Sequence, residues 1–289
     1  TVEIPELGIS QSAQTNAEGV AGLRFNIPKA ELWSPENPKL YQVKVSHGGV
    51  VLSEKIGFRT VRTRGREILL NGKPVFLRGI CIHEEFPVEG GGRVTTDSQR
   101  QQLLTWAKEL GCNFVRLAHY PHHERMTRLA DEMGLLVWSE VPVYWTIDWK
   151  NEDTFRNAQR QVTDMVTRDI NRASIIIWSM ANETPVSPER TKFLSGLVNT
   201  ARGLDSTRLI SAAMEKHGKA GAPDTSVVED PLAEMLDIIA FNQYTGWYDG
   251  LPDKCARVKW EIPYQKPVFI SEFGGGAKQG LHGAPDERW

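Results

Sequence analysis

From about Arg66 onward the chain keeps one rhythm: a short apolar run, a loop, then an amphipathic stretch, repeated as far as Glu272. The strand candidates are VFLRGIC (75–81), NFVRLA (113–118), LLVWSE (135–140), IIIWSMANE (175–183), LISAAM (209–214), IIAFNQY (238–244) and VFISEF (268–273). Between them, stretches 97–110, 122–133, 152–170 and 188–203 carry apolar residues at three- and four-residue spacing, which is the helical period. Gly111 and Gly134 stand where the first two helices should stop. Such alternation implies a parallel sheet, because a crossover helix returns the chain to run in the same direction. Seven units in about 220 residues fit a (β/α)8 TIM barrel better than an open doubly wound sheet. No G-x-G-x-x-G opens the first helix, which weakens the dinucleotide-binding alternative. GGGAKQGLHGAPDERW follows the seventh strand, so the expectation is a barrel whose eighth strand is missing from a partial sequence.

Residues 1–62 read differently. GLRFNIP, LYQVKVSHGG and VVLSEKIGFRTVRT alternate apolar and polar residues between turn signals at Pro35, Pro38 and Gly48-Gly49. That pattern predicts antiparallel strands with one wet face, part of an immunoglobulin-like β-sandwich with three or four of its roughly seven strands. The expected domains are therefore 1–62, a partial sandwich, and 63–289, the barrel.

Net charge is −2 with acids and bases interspersed, which gives no basic footprint for nucleic acid or an anionic membrane. No run approaches the roughly 18 apolar residues of a membrane span. Cys81, Cys112 and Cys255 are odd in number, far apart and outside any C-x-x-C pair, so neither a disulfide framework nor a metal knuckle is expected. The chain opens at Thr1 without a visible signal peptide; a soluble protein of the cytoplasm or periplasm is expected, and a homo-oligomer is left open.

In an α/β barrel the functional side chains stand at the C-terminal ends of the strands. Those positions here hold Cys81, His83, Arg116, His119, Glu140, Asn182, Glu183, Asn242, Tyr244 and Glu272. The rim is rich in hydrogen-bonding groups, and the strand bodies beneath it are apolar. Two strands end on glutamates, Glu183 and Glu272, and two opposed carboxyls at one rim are the equipment for breaking a glycosidic bond. Arg116, flanked by apolar residues inside a strand, could keep a carboxylate ionised. Glu140 is either its structural partner or a substrate contact. His122 and His123 are read as the start of an exposed helix rather than metal ligands, and Cys81 as an inert buried thiol.

NGKPVFLRGICIHEE, NFVRLAHYPH, MGLLVWSEVP, IIIWSMANE, FNQYTGWY and PVFISEFG, in this order, resemble glycoside hydrolase family 2, the group that contains β-galactosidases, β-glucuronidases and β-mannosidases. The resemblance implies Glu183 as acid/base and Glu272 as nucleophile. It also implies that His83, Arg116, His119, Asn182 and Tyr244 touch the sugar or support the groups that do. Trp145 and Trp247, on loops after the third and sixth strands, are either walls of the sugar pocket or rim packing. A tryptophan platform expected on an eighth strand has no counterpart. FNQYTGWY and GLHGAPDERW resemble the β-glucuronidase side of the family more than the large β-galactosidases, though smaller β-galactosidases and related uronidases share such segments, and the carboxylate-recognising elements of glucuronidases lie mainly beyond the position of Trp289.

The implied reaction is exo-acting hydrolysis of a carbohydrate with retention, by double displacement, without cofactor or metal. The carboxyl groups should then lie about 5–5.5 Å apart. Two competing readings are a glycan-binding barrel that does not cleave and a metal-dependent hydrolase. The second would want His-x-His on the first strand, where only His83 stands.

Overall fold

The computed structural model describes residues 1–87, 91–276, 280 and 282–284, so most of GLHGAPDERW lies outside the described residues. An antiparallel sheet opens the chain: β1 (Val2–Ile4), β2 (Ile9–Gln11), β3 (Tyr41–His47) and β4 (Val50–Ile56), in the order β2-β1-β3-β4. GLRFNIP keeps its alternation, with Leu23, Phe25 and Ile27 half-buried and their neighbours exposed. It forms no strand, however, because no described neighbour supplies a ladder for its backbone. The run 50–63 divides between two sheets: β5 (Val61–Arg64) joins β6 (Glu67–Leu70) and β7 (Lys73–Pro74) in a separate three-stranded meander.

The parallel sheet follows. Its first units are β8 (Gly79–Ile82), α1 (Asp97–Glu109), β9 (Phe114–Leu117), α2 (Glu124–Met133), β10 (Leu136–Glu140), α3 (Glu152–Asp169), β11 (Ile175–Asn182), α4 (Pro188–Leu204) and β12 (Leu209–Met214). Then come β13 (His217–Lys219), β14 (Ala222–Val227), β15 (Ile239–Asn242), β16 (Lys259–Glu261) and β17 (Val268–Glu272). The barrel strands are ordered β8-β9-β10-β11-β12-β15-β17, seven as expected and all parallel.

Local chemistry sets the helix ends. Thr96 and Gln99 close a capping box on α1, and Asn151 and Ser187 accept backbone N–H groups at the starts of α3 and α4. Gly134 stops α2 at φ +70°, and a Cβ there would stand 2.5 Å from the Pro35 carbonyl oxygen. The residue is thus both a helix stop and the point where the N-terminal segment presses on the barrel.

The last two crossovers differ from expectation. Among the described residues no α-helix follows β12 or β15; β13, β14 and β16 form a small sheet of their own. One apolar core lies between the strands and helices, and a second joins Phe114, Trp138 and Ile177 to Trp33, Val61, Ile68 and Leu70 from the preceding sheets. Trp33 is fully buried and donates its indole N–H to the Asp131 carbonyl at 2.9 Å. Glu54 of β4 pairs with Arg128 at 2.5 Å and with Arg172, fastening the same seam.

At the foot of β11 and β12, Asp205 accepts from Trp178 Nε1 (2.8 Å), Arg208 Nη1 (2.8 Å) and the Thr207 N–H and Oγ1 (2.7 Å each). Burial works to raise its carboxyl, but Arg208 and these donors outweigh it and hold it at about 2, below the usual 3.8. A depressed folded-state value stabilises the fold above the unfolded value and ceases to do so as pH falls through the folded one. Asp205→Asn should therefore cost about 2 kcal/mol at pH 7. In urea unfolding that gap should close between roughly pH 4 and pH 2; a gap that stays constant would contradict the assignment.

Candidate active site

Strand register places the site. Arg116 of β9 lies opposite Trp138 of β10, so Glu140, two residues on, shares the inward face with Trp138. The Arg116 guanidinium is 1% exposed and every part of its fork is used. Nε and Nη2 donate to the two Glu140 oxygens at 3.0 Å each, Nη2 to Asn182 Oδ1 at 2.8 Å, and Nη1 to Glu272 Oε1 at 2.6 Å. Nη1 also meets the Ser271 carbonyl at 3.3 Å. Burial opposes the charge on this arginine, but Glu140 and Glu272 more than compensate, and its pKa is raised.

Glu140 is equally buried. Burial would raise its carboxyl, yet Arg116 and His119 overcome that and hold it low. Besides Arg116 it accepts from Trp138 Nε1 at 2.6 Å and meets His119 Nδ1 at 2.7 Å. A carboxylate so occupied can only accept, so His119 Nδ1 donates to it, with Arg116 Nη2 also 3.3 Å from that nitrogen. Nε2 is left 3.7 Å from Glu272 Oε1. Of its two sequence readings, Glu140 matches the structural partner.

Glu272 ends β17, with Arg116 on Oε1 and the Tyr244 hydroxyl donating to Oε2. Burial first, and then that bond, raise the Tyr244 phenol well above its usual value, so it stays a neutral donor. Glu183 follows β11 with φ +49° and its N–H on the Ala213 carbonyl at 2.8 Å. This left-handed conformation costs a glutamate on the order of 1–3 kcal/mol. It aims the side chain at Asn242 Nδ2, 2.8 Å from Oε1, and at Trp145 Nε1, 3.4 Å from Oε2. Asn242 is oriented in turn by the Ser271 hydroxyl on its Oδ1 at 2.7 Å. Trp145 is left-handed too, at φ +57°, its N–H on the Asn182 carbonyl at 3.0 Å.

The structure thus brings Arg116, His119, Asn182, Glu183, Tyr244, Glu272 and Trp145 into one connected set. His83 joins at its edge, edge-on to His119 at 5.3 Å, and burial with the nearby His119 lowers its imidazole. Rings continue along the rim from His119 to Tyr144 (5.9 Å) and Trp145 (5.4 Å). Trp247 lies half-buried over Gly275 and Gly276, where a Cβ on Gly275 would come within 2.7 Å of its ring, and Tyr248 links its ring to that of Tyr244 (6.1 and 5.2 Å).

One expectation fails. His122 does not begin an exposed helix: it is fully buried, stacked on Tyr120, with Nε2 on the Ala118 carbonyl at 2.9 Å. Burial pushes its imidazole down to about 4, and His123, not His122, is the N-cap of α2. Cys81 is exposed along β8, an edge strand of the sheet, but its Sγ donates to the Ser271 carbonyl at 3.4 Å and burial pushes the thiol up to about 12, which matches the inert thiol expected. Among the described residues no group of three or more His, Cys, Asp or Glu is placed to hold a metal ion, and no helix is long and apolar enough to cross a membrane. Sequence reasoning missed Trp138 and Ser271. The signal for Trp138 was present, since W-x-E on a strand puts both side chains on one face. Ser271 faces the Asn242 side chain across the β15–β17 pair, a contact that only the register reveals.

Comparison with known proteins gives consistent results. The family model for glycosyl hydrolases family 2, TIM barrel domain, matches residues 61–289, and the model glycosyl hydrolases family 2 matches residues 3–59. A β-glucuronidase of Paenibacillus borealis is 30% identical, over 90% of this chain and 46% of that protein. A GH2 β-galacturonidase from Eisenbergiella tayi, solved bound to galacturonate, has a TM-score of 0.78 at 29% identity, covering 91% of this chain and 47% of that one. A β-glucuronidase from Ruminococcus gnavus in complex with uronic deoxynojirimycin gives 0.76 at 30% identity, over 91% and 47%. The chain spans about half the length of these relatives.

Removing the shared cation should be far worse than removing one of its neighbours. Arg116→Met leaves Glu140 and Glu272 without it and should cost about 3–5 kcal/mol. Trp138→Phe deletes one donor to Glu140 and should cost about 1–3 kcal/mol. Denaturant unfolding at pH 7 measures both, and equal losses would show that the cation does not hold the site together.

Proposed function

The chain belongs to glycoside hydrolase family 2, and from that premise we propose that it is a retaining, exo-acting β-glycosidase that releases a terminal β-linked uronic acid. The observation that carries the proposal is the unequal support of two rim carboxylates. Glu272 sits on a buried guanidinium and a phenol, contacts that favour an anion. Glu183 has only an amide and a distant indole. One group is equipped as a nucleophile, and the other is free to gain and lose a proton. The uronic acid is suggested by the relatives, two named β-glucuronidase and one β-galacturonidase.

In the first step a Glu272 oxygen attacks the anomeric carbon while the glycosidic C–O bond breaks, and the Glu183 proton passes to the leaving oxygen. The sugar is now an ester of Glu272. That ester is neutral, so Glu183 no longer faces a negative neighbour. It takes a proton from water as the water oxygen attacks the anomeric carbon and frees the Glu272 carboxylate. The second inversion restores the original configuration.

Asn182 accepts at Oδ1 from Arg116 and Asn242, which turns its amide N–H groups toward the ligand, where they suit the sugar 2-hydroxyl. Tyr244 holds Glu272 until the ester forms and can then donate to the ring oxygen side of the sugar. His83 and His119 give the sugar an aromatic wall, and Trp247 closes the far side. This cycle asks nothing of a cofactor.

Hydrolysis of aryl β-glycosides (glucuronide, galacturonide, galactoside, glucoside, mannoside) tests the proposal. One uronide should be turned over, and Glu272→Gln should abolish it. Glu183→Gln should slow it by about 10²–10⁴-fold. With an activated leaving group, that variant should accumulate a sugar ester on Glu272, visible by mass spectrometry. A non-catalytic glycan-binding barrel would turn over none of the five and form no ester.

A further inference from the structure

Glu183 is held by two donors of unequal freedom. Asn242, on Oε1, is buried and fixed by Ser271. Trp145, on Oε2 at 3.4 Å, has a side chain that is 63% exposed. Its backbone is clamped beside β11, through its own N–H on Asn182 and a bridge between Tyr144 and Asn182, so any movement is confined to the ring. With a donor on each oxygen, the carboxyl is set to accept on both. That is the form that takes a proton from water, not the form that gives one to a leaving group. An oxygen that gains the proton has one lone pair fewer and accepts more weakly, and of the two donors only Trp145 is free to give way.

The ring also stands in a telling place. It bonds Glu183, and among the described residues no hydrogen bond joins it to Glu272, Arg116 or Tyr244. In a retaining pair the two carboxyls flank the scissile bond, so a side chain on the acid/base alone lies toward the leaving group.

We infer that Trp145 is a positioning residue operated by the leaving group: a flat aglycone stacking on its exposed indole draws the N–H off Glu183 Oε2 and lets that oxygen carry the proton. This rests on the glycosidase reading above. The proton then passes from Oε2 to the glycosidic oxygen as the C–O bond breaks. Once the aglycone departs, the indole returns, and Glu183 is again the acceptor that deprotonates water. Substrates with planar aromatic leaving groups gain from this device, and small alkyl glycosides do not.

The other charged groups around Glu183 are few. Glu215, just past β12, is close enough that burial and the charge on Glu183 raise its carboxyl; Lys216 adjoins it. Tyr244 faces Glu183 from the β15 side. Arg116 and Glu272 lie beyond Asn182, and behind the 183–184 turn the buried pair Arg190–Asp230 holds Thr184.

The test compares Trp145→Phe, Trp145→Ala and Glu215→Gln on an aryl and a methyl glycoside of the sugar identified by the panel. A donor on an anion favours the anion. Its loss in Trp145→Phe should therefore move the basic limb of kcat/KM up by roughly half a unit to one unit, with the acid limb fixed. Glu215→Gln removes a like charge and should move the same limb down. Trp145→Ala should raise KM about tenfold for the aryl glycoside and much less for the methyl one. An unmoved basic limb in Trp145→Phe, or equal losses on both substrates in Trp145→Ala, would overturn the inference. A readout independent of turnover is the ¹⁵N–¹H indole resonance of Trp145, assigned by its absence in Trp145→Phe. It should titrate in the wild type and lose that titration in Glu183→Gln, and a flat signal in the wild type sinks the inference alone. A wild type that hydrolyses no glycoside while the indole still titrates sinks the glycosidase reading, and the inference with it.

Discussion

One buried guanidinium organises this molecule's rim. Arg116 meets Glu140, Asn182, Glu272 and the Ser271 carbonyl from a single planar fork, joining β9, β10, β11 and β17. A lysine could not do this, because a point charge with three donors cannot face two carboxylates and an amide in fixed directions. Taking so many charges out of water is costly, and the cost is met only because each carboxylate oxygen has a donor. Glu140 shows the rule most clearly, with Arg116, Trp138 and His119 all upon it. The arrangement also divides labour between the two candidate catalytic carboxylates. The Arg116 fork reaches Glu272 and passes Glu183 by, leaving it to the neutral Asn242.

Much of this was legible in the sequence, for identifiable reasons. The five inner strands are buried on both faces, so they appear as unbroken apolar runs, and all seven were found within a few residues. A charged residue inside such a run, as in NFVRLA, stands out because only a paired charge survives there. Glutamates that close apolar runs stand out for the same reason. What remained hidden was pairing. GLRFNIP carries the right period but lacks a partner strand, and periodicity reports a half-buried face, not a ladder. His122 looked exposed because it precedes a polar helix start, yet the turn from Ala118 folds it inward. The sheet of β13, β14 and β16 was missed because its strands are short and weakly patterned, and its register joins segments more than thirty residues apart.

Left-handed backbone at Trp145 and Glu183 is another property that sequence does not disclose. Both residues are large, both would be more comfortable elsewhere on the φ/ψ map, and both are tied by backbone bonds to the end of β11 or to its neighbour β12. The barrel strands are stiff enough to hold the strain, and the strain is what sets two side chains against each other across the rim.

The span of the Arg116 contacts bears on the order in which the site is built. The partner Glu140 is 24 residues away along the chain, whereas Glu272 is 156 away. Closing the shorter loop loses less chain entropy, and the neighbouring β9–β10 pairing already brings the two together. A chain emerging from its N-terminus therefore has its buried cation neutralised by Glu140 long before β17 exists. Glu272 arrives as a second anion at a socket already charged and shaped for it, so the residue proposed to carry the chemistry is not the one on which assembly depends.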